Sequence, residues 1–260
     1  MAFGKTGIDW HSTLAAVWRT NRHFLKPVTQ VDLVDPDSLL GIDEQKALLY
    51  RNTENFLRGK PASHALLWGA QGVGKSSLIK TLITRYHTYG LRLVQIPRED
   101  LNILLDLMDE VQDYSQHFII YCDDIGFKQS ECGYHVLKSA LEGTLEKLPK
   151  NVLIYATSNR QDLIPESMAD NVNVSEAMPP MQPRTSNFSE CQLLVDRFGL
   201  SLAFNPMERE TYLAIVDRLF QGKNIDRKML HEEAMHFAAK RSGHSGRTAR
   251  HFFNHYQMYL

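Results

Sequence analysis

Five short apolar runs punctuate the chain, at residues 64–68, 91–96, 118–122, 152–157 and 200–204. Between them apolar residues recur at helical spacing, at about 75–87, 99–113, 131–147 and 187–197. This alternation predicts an α/β fold in which a five-stranded parallel sheet is covered by helices on both faces. A further helix is predicted over 43–57, where Ala47, Leu48, Leu49 and Phe56 share one face. Residues 1–38 read as an extended arm with one short helical piece at about 13–19. After Pro206 the pattern holds three helical segments, 207–220, 226–240 and 246–258, and reads as a small all-helical domain. The expected division is therefore an arm or linker over 1–38, an α/β core over 39–206 and a helical lid over 207–260. The stretch 165–183, with PPMQP at its end, has the weakest periodicity and reads as a long surface loop.

Composition narrows the class. The chain has 260 residues, 43% of them hydrophobic, which suffices for a sizeable core. A formal net charge of −1 gives no global field toward nucleic acid or anionic membrane, so any basic surface must be local. Cys122, Cys132 and Cys191 form no C-x-x-C pair and are odd in number, which suits a reducing compartment. The first twenty residues hold no signal-peptide core, and no apolar run reaches the ~18–20 residues of a membrane helix. The expectation is a cytoplasmic protein with no membrane partner.

GAQGVGKS, residues 69–76, matches G-x-x-x-x-G-K-[ST] between an apolar run and a helical pattern. Gly69, Gly72 and Gly74 allow the backbone to wrap an anion, with Ala70, Gln71 and Val73 completing the loop. Lys75 supplies a cation for the β- and γ-phosphates of ATP, the Ser76 hydroxyl can ligate Mg²⁺, and Ser77 continues the first helical turn at the favourable end of the dipole.

A magnesium–nucleotide site needs a carboxylate at the tip of a nearby strand. HFIIYCDDIGF, residues 117–127, provides two. Adjacent side chains of a strand point to opposite faces, so the pair should divide its work. Asp123 is the candidate metal ligand. Asp124 is the candidate to orient and deprotonate the attacking water, or else simply caps the following turn. VLIYATSN, residues 152–159, ends in Asn159, which could hold that water or the γ-phosphate, or merely begin a loop. Arg197 stands just before the last strand. Arg247 and Arg250 stand at the start of the final helix, where the dipole disfavours cations unless an anion is bound.

P-loop, DD pair, Asn-tipped strand, Arg-Phe before a last strand and Arg in a helical lid follow the order of AAA+ ATPases. More narrowly, LLGIDEQKALLYRNTENFLRGKPASHALLWGAQGVGKSSLIK, IIYCDDIGF, YATSNR, DRFGL and SGRTAR resemble an uncharacterised bacterial AAA+ family. The resemblance spans about 31–258. It implies that Asp123 and Asp124 are the Walker B pair, Asn159 sensor 1, Arg197 an arginine finger and Arg250 sensor 2, with Arg247 competing for that role. It further implies that Leu40, Gly41 and Ile42 line the adenine pocket, and that the chain forms a homo-oligomer, with a hexameric ring as one form.

Two positions depart from the superfamily pattern. Asp124 stands where most AAA+ enzymes have Glu, which implies slow hydrolysis or a water held closer to the strand. QIPREDL, after the second core strand, has no aromatic residue where threading translocases carry a pore loop. The function expected is therefore ATP–Mg²⁺ binding and slow hydrolysis that remodels or loads a macromolecular partner, with a protein client that the sequence does not name. The alternatives are a nucleotide-gated switch, like a helicase loader, with incidental turnover, and a P-loop small-molecule kinase.

Other features read as structure. In HEEAMH, residues 231–236, five helical steps set the histidines about 140° apart, too far to share a metal. The cluster Lys240, Arg241, His244, Arg247, Arg250 and His251 could form a nucleic-acid patch but reads first as a solvated face, so nucleic acid is a possible partner that the sequence does not indicate. The aromatics of HFFNHYQMYL fit helix packing.

Overall fold

A computed structural model describes residues 7–125, 134–142, 147–159, 195–241 and 243–259. The strands are β1 (Ala15–Arg19), β2 (Phe24–Pro27), β3 (Ala65–Gly69), β4 (Leu91–Ile96), β5 (His117–Cys122), β6 (Val152–Ser158) and β7 (Leu200–Phe204). They form one sheet in the order β2-β1-β4-β5-β6-β3-β7, and only the β1–β2 pairing is antiparallel. The five expected strands are thus present and mutually parallel, and the sheet is two strands wider than expected.

The two additional strands come from the arm. AAVWR was expected to be helical but is β1, paired with β4 from Ala15↔Leu93 to Val17↔Gln95. Alanine favours helix, but a helix of one or two turns cannot repay its nucleation cost, whereas the β4 edge offers a ready ladder. The arm is pinned from below by Arg92 of β4. Its buried guanidinium donates to the carbonyls of Trp10 (2.7 Å) and His11 (3.1 Å), and also to Leu91 and His87. The Trp10 ring is fully buried, edge-on to Phe118 at 5.0 Å. Lys26 and Pro27 stand on the outermost strand, β2, a composition that blocks further strand addition.

Helices α1 (Asp43–Leu57) and α2 (Lys75–Tyr86) cover one face, burying Leu49, Phe56, Leu78 and Leu82 with Leu67, Ile119 and Tyr155. Helices α3 (Leu104–Val111) and α4 (Tyr134–Glu142) belong to the other, with Leu66, Phe118, Ile120 and Ile154. The segment expected to be helical over 99–113 begins as a 3₁₀ stretch, Arg98–Ile103, and becomes α3 only at Leu104. Expected helix 187–197, except its last residues, and expected loop 165–183 lie outside the described residues.

Helices α5 (Arg209–Leu219), α6 (Arg227–Ala239) and α7 (Gly246–Tyr256) follow β7 and enclose a core of their own around Tyr212, Val216, Phe220, Leu230, Ala234 and Phe252. Caps explain where α6 and α7 start: the side chain of Asp226 accepts from Met229 N and that of Ser245 from Thr248 N. The aromatics of the C-terminal helix pack as expected, Phe220 meeting Phe252, Phe253 and Tyr256 at 5.0–5.6 Å. Among the described residues no helix is long and apolar enough to cross a membrane.

One polar contact in the core is sensitive to pH. His64, just ahead of β3, accepts a 2.9 Å hydrogen bond from Ile154 N through Nδ1, and burial pushes its pKa down to about 4. The folded chain keeps this ring neutral where the unfolded chain, titrating near 6.5, takes up a proton. Its contribution is therefore intact above about pH 6.5 and is lost as pH falls toward 4. Urea denaturation should show a loss of about 2 kcal/mol between pH 7 and pH 5. His64→Asn, which accepts the same bond without titrating, should show a flatter profile; an identical profile contradicts the assignment.

Candidate functional site

The parallel strands all end on one side, and the loop after β3 wraps there into the start of α2. Its path requires glycine at three points. Gly69 (φ +119°) leaves no room for a Cβ against the carbonyl oxygen of Phe204, and the next residue, Ala70, donates its N–H to that oxygen at 2.8 Å. Gly72 (φ +77°) and Gly74 (φ +109°) occupy the left-handed region. The buried Lys75 ammonium spans the loop, donating to Gly69 O (2.9 Å) and Ala70 O (2.6 Å). Burial lowers its pKa to about 8, against the pull of Asp124 and Asp123, with Arg247 adding to the lowering.

Two neighbouring elements, α2 and β6, converge on Asp123 at the end of β5. Its Oδ1 accepts from Ser76 Oγ of α2 (2.9 Å) and from Thr157 Oγ1 of β6 (2.6 Å). The same Thr157 hydroxyl accepts from the backbone N–H of Asp124 (2.9 Å), and Asn159 Nδ2 donates to Asp124 Oδ1 (2.8 Å). The two acids therefore differ in setting: Asp123 is half-buried against α2, while Asp124 is exposed and held by the β6 tip. Asp124 has φ +53°. Asp and Asn tolerate this left-handed conformation better than longer side chains, which gives a backbone reason for aspartate at this position.

The lid closes the other side. Gly246 N, at the start of α7, donates to Gly72 O at 3.0 Å, and a side chain at Gly72 would strike Ser245 Oγ. Arg218 of α5 reaches Asp37 O at 2.5 Å and Asp35 Oδ2 at 3.3 Å, tying the lid to the segment before α1. Lys80 of α2 holds Asp32 of that segment at 2.8 Å, and the Lys80 hydrogen bond and charge, with Arg250 behind them, lower the Asp32 pKa.

Between these walls lies a cleft of about 1100 Å³. Gln71 through Ser77, Asp123, Asp124, Asn159, Arg247, Arg250 and Leu40 all line it. Gly69 and Ala70 lie beneath it and shape the loop rather than its surface. Gly41 packs against Thr211 and Ile42 is buried near Gly74, so neither is part of the cleft lining. Arg197 is also elsewhere, paired with Glu142 of α4. Thr157, Arg218 and the strap 32–39 were not anticipated. Thr157 was visible in ATSN as a polar residue at a strand tip; the strap carries no motif.

Of the features set aside, His231 pairs with Asp217 of α5 (2.7 Å), while His236 is exposed on the lid. Among the described residues no cluster of three or more His, Cys, Asp or Glu could hold a metal without other donors.

The donor set fits a nucleotide and a hard divalent cation. The left-handed loop presents N–H groups around a lysine, and a hydroxyl and a carboxylate already meet across the loop's end. Thr157→Val should remove the support of both acids and cost about 1–2 kcal/mol in thermal or urea denaturation. Thr157→Ser should recover most of that loss; equal losses for both would assign the effect to methyl packing.

Among solved structures the chain is similar to RuvB of Thermotoga maritima, a Holliday junction branch migration motor. The TM-score is 0.51 at 16% identity, covering 86% of this chain and 64% of that one. A variant of the same protein gives a TM-score of 0.50 at 14% identity, covering 85% and 61%. The chain thus spans less than two thirds of the length of these RuvB chains. No curated protein sequence matches it. The likeness is one of fold, an AAA+ P-loop core, as the order of motifs led one to expect. The sequence matches the model of the family described as "Protein of unknown function (DUF815)" over residues 11–259, and the chain belongs to that family.

Proposed function

We propose that the protein binds ATP with Mg²⁺ in the cleft between core and lid and hydrolyses it, using the energy to remodel or load a macromolecular partner. The observation that carries this reading is the bonded chain Ser76–Asp123–Thr157–Asp124–Asn159, set beside Lys75 in one cleft with Arg247 and Arg250.

Each residue has a role consistent with its setting. The loop N–H groups from Gly72 to Ser76 receive the phosphates, and Lys75 exchanges its two carbonyl partners for phosphate oxygens. Ser76 and Asp123 would hold Mg²⁺, which would neutralise phosphate charge during transfer. Asp124, an exposed carboxylate oriented by Asn159, accepts the proton of the attacking water. Arg250 and Arg247 face the same loop from α7 and stabilise charge on the γ-phosphate. The apolar side chains of Leu39, Leu40, Met207 and Ile215 offer a slot for the base.

Arg197 lies outside its own cleft, which supports a role on the nucleotide of a neighbouring subunit in a homo-oligomer. The family likeness favours a ring, and a protein client completes the reading. A second reading is a switch in which nucleotide sets the lid position and turnover is incidental. The contact of Gly246 with Gly72 favours it, because it couples the lid directly to the loop that would hold phosphate.

In an ATPase assay Asp124→Asn should lose at least about 100-fold in turnover, a general-base contribution, while ATP binding persists. Unchanged hydrolysis ends the role of Asp124. Arg197→Ala should bind ATP as the wild type does but lose about 10³-fold in turnover at concentrations where assembly is demonstrated. Turnover that is intact in the assembled variant rules out a finger acting between subunits.

A further inference from the structure

Between Asp9 and Asp32 the chain has no acidic residue, yet it carries Arg19, Arg22 and Lys26. Over the whole chain 30 acids stand against 29 lysines and arginines, so this run is a local basic surface in a nearly neutral protein. It coincides with the β1–β2 hairpin, the part of the sheet that extends past β4.

The hairpin sorts its residues by face. Trp18 and Leu25 are register partners, each 3% exposed, and pack into the core. Arg19 pairs with Phe24 and Val17 with Lys26, so strand alternation sets these four on the opposite face. There Arg19, Phe24 and Lys26 are exposed, the Phe24 ring by 39%. Arg22 is exposed at the turn, a 3₁₀ stretch closed by a hydrogen bond from His23 N to Thr20 O. Thr20 Oγ1 donates to the buried carboxylate of Asp100, which moors the turn to the segment after β4. Among the described residues Arg19, Arg22 and Lys26 take part in no ion pair.

Three unpaired cations held on an anchored strand pair, beside an exposed ring, suit a ligand with both anionic and flat apolar parts. Single-stranded nucleic acid has both: phosphates for the cations and an open base face for the ring. A duplex hides its base faces, and an acidic peptide satisfies the cations but leaves the ring exposed. Strand addition is blocked by Lys26 and Pro27 on the outer edge, so a partner must be held by side chains.

We propose that the exposed face of the β1–β2 hairpin binds single-stranded nucleic acid, with Arg19, Arg22 and Lys26 on phosphates and Phe24 stacked on a base. β1 runs parallel to β4, so the turn lies at the end of the sheet that carries the P-loop. Residues 28–31 alone separate β2 from Asp32, where the strap begins to line the cleft. None of the four binding residues lines that cleft. The inference goes beyond the ATPase reading and does not rest on it.

The test is fluorescence anisotropy on the full chain without nucleotide, using labelled oligo-dT and oligo-U over a range of salt concentrations. Three phosphate contacts predict a slope of log affinity against log salt of about −2. The triple variant Arg19→Gln, Arg22→Gln, Lys26→Gln should flatten that slope toward zero at an unchanged melting temperature. Phe24→Leu keeps the apolar bulk without the flat ring, and should weaken binding about tenfold at every salt concentration with the slope retained. Lys240→Gln combined with Arg241→Gln, in the basic cluster of the lid, should bind as the wild type does. Binding to either oligonucleotide with this pattern supports the proposal, and the tighter one names the nucleic acid. No binding by the wild type, a slope that the triple variant leaves unchanged, or a loss confined to the lid variant overturns it. Phe24→Leu binding as the wild type does, or poly-glutamate binding as tightly as the oligonucleotides, overturns it in favour of an acidic protein partner.

Discussion

The carboxylate of Asp123 is where the site is assembled. One oxygen receives Ser76 from the start of α2 and Thr157 from the end of β6, so one helix and two neighbouring strands meet in a single knot. Hydrogen bonds to an ionised acceptor are stronger than neutral ones, and two on one oxygen leave that side chain little freedom. Thr157 then passes the constraint to Asp124 through the backbone, and Asn159 completes it from the same strand. A displacement of β6 relative to β5 would misplace both acids together.

The second constraint is closure. The lid is built around its own aromatic core, yet it meets the P-loop through a backbone hydrogen bond at a position where only glycine fits. The strap before α1 is held from two sides, by Lys80 of the core and Arg218 of the lid. These last contacts are exposed ion pairs, individually weak and screened by salt. Under the proposed function this is a suitable balance: the lid is placed well enough to bring Arg247 and Arg250 to the cleft, and held loosely enough to respond to what the cleft contains.

The P-loop was legible because its chemistry fixes residue types at fixed spacing: glycines for the turns, then Lys75 and Ser76 at the first helical turn. The strand tips were legible for a related reason, since an apolar run ending in Asp123 or Asn159 places a polar group at the edge of the sheet. The β1–β2 hairpin was not. AAVWR carries helix-favouring alanines, and its strand state depends on the free edge of β4 and on the Arg92 clamp, both distant in sequence. The strap was equally hidden, because Asp32 and Asp35 acquire a role only when Lys80 and Arg218 arrive opposite them. Gly41 and Ile42, assigned to the nucleotide by likeness, are packed behind the cleft against Thr211 and Gly74. The left-handed backbone at Asp124 could not be read from DDIGF, yet it gives the reason why aspartate suits that position.

The central claim is that the bonded acids at the tips of β5 and β6, with the P-loop and the lid arginines, form one Mg²⁺–nucleotide site. It is tested most directly by the structure of the protein with a non-hydrolysable ATP analogue and Mg²⁺. The account predicts phosphates inside the loop from Gly72 to Ser76, the metal against Ser76 and the Asp123 side of the site, and Arg250 or Arg247 at the γ-phosphate. A nucleotide bound outside that loop, or a metal remote from Ser76 and Asp123, would contradict it.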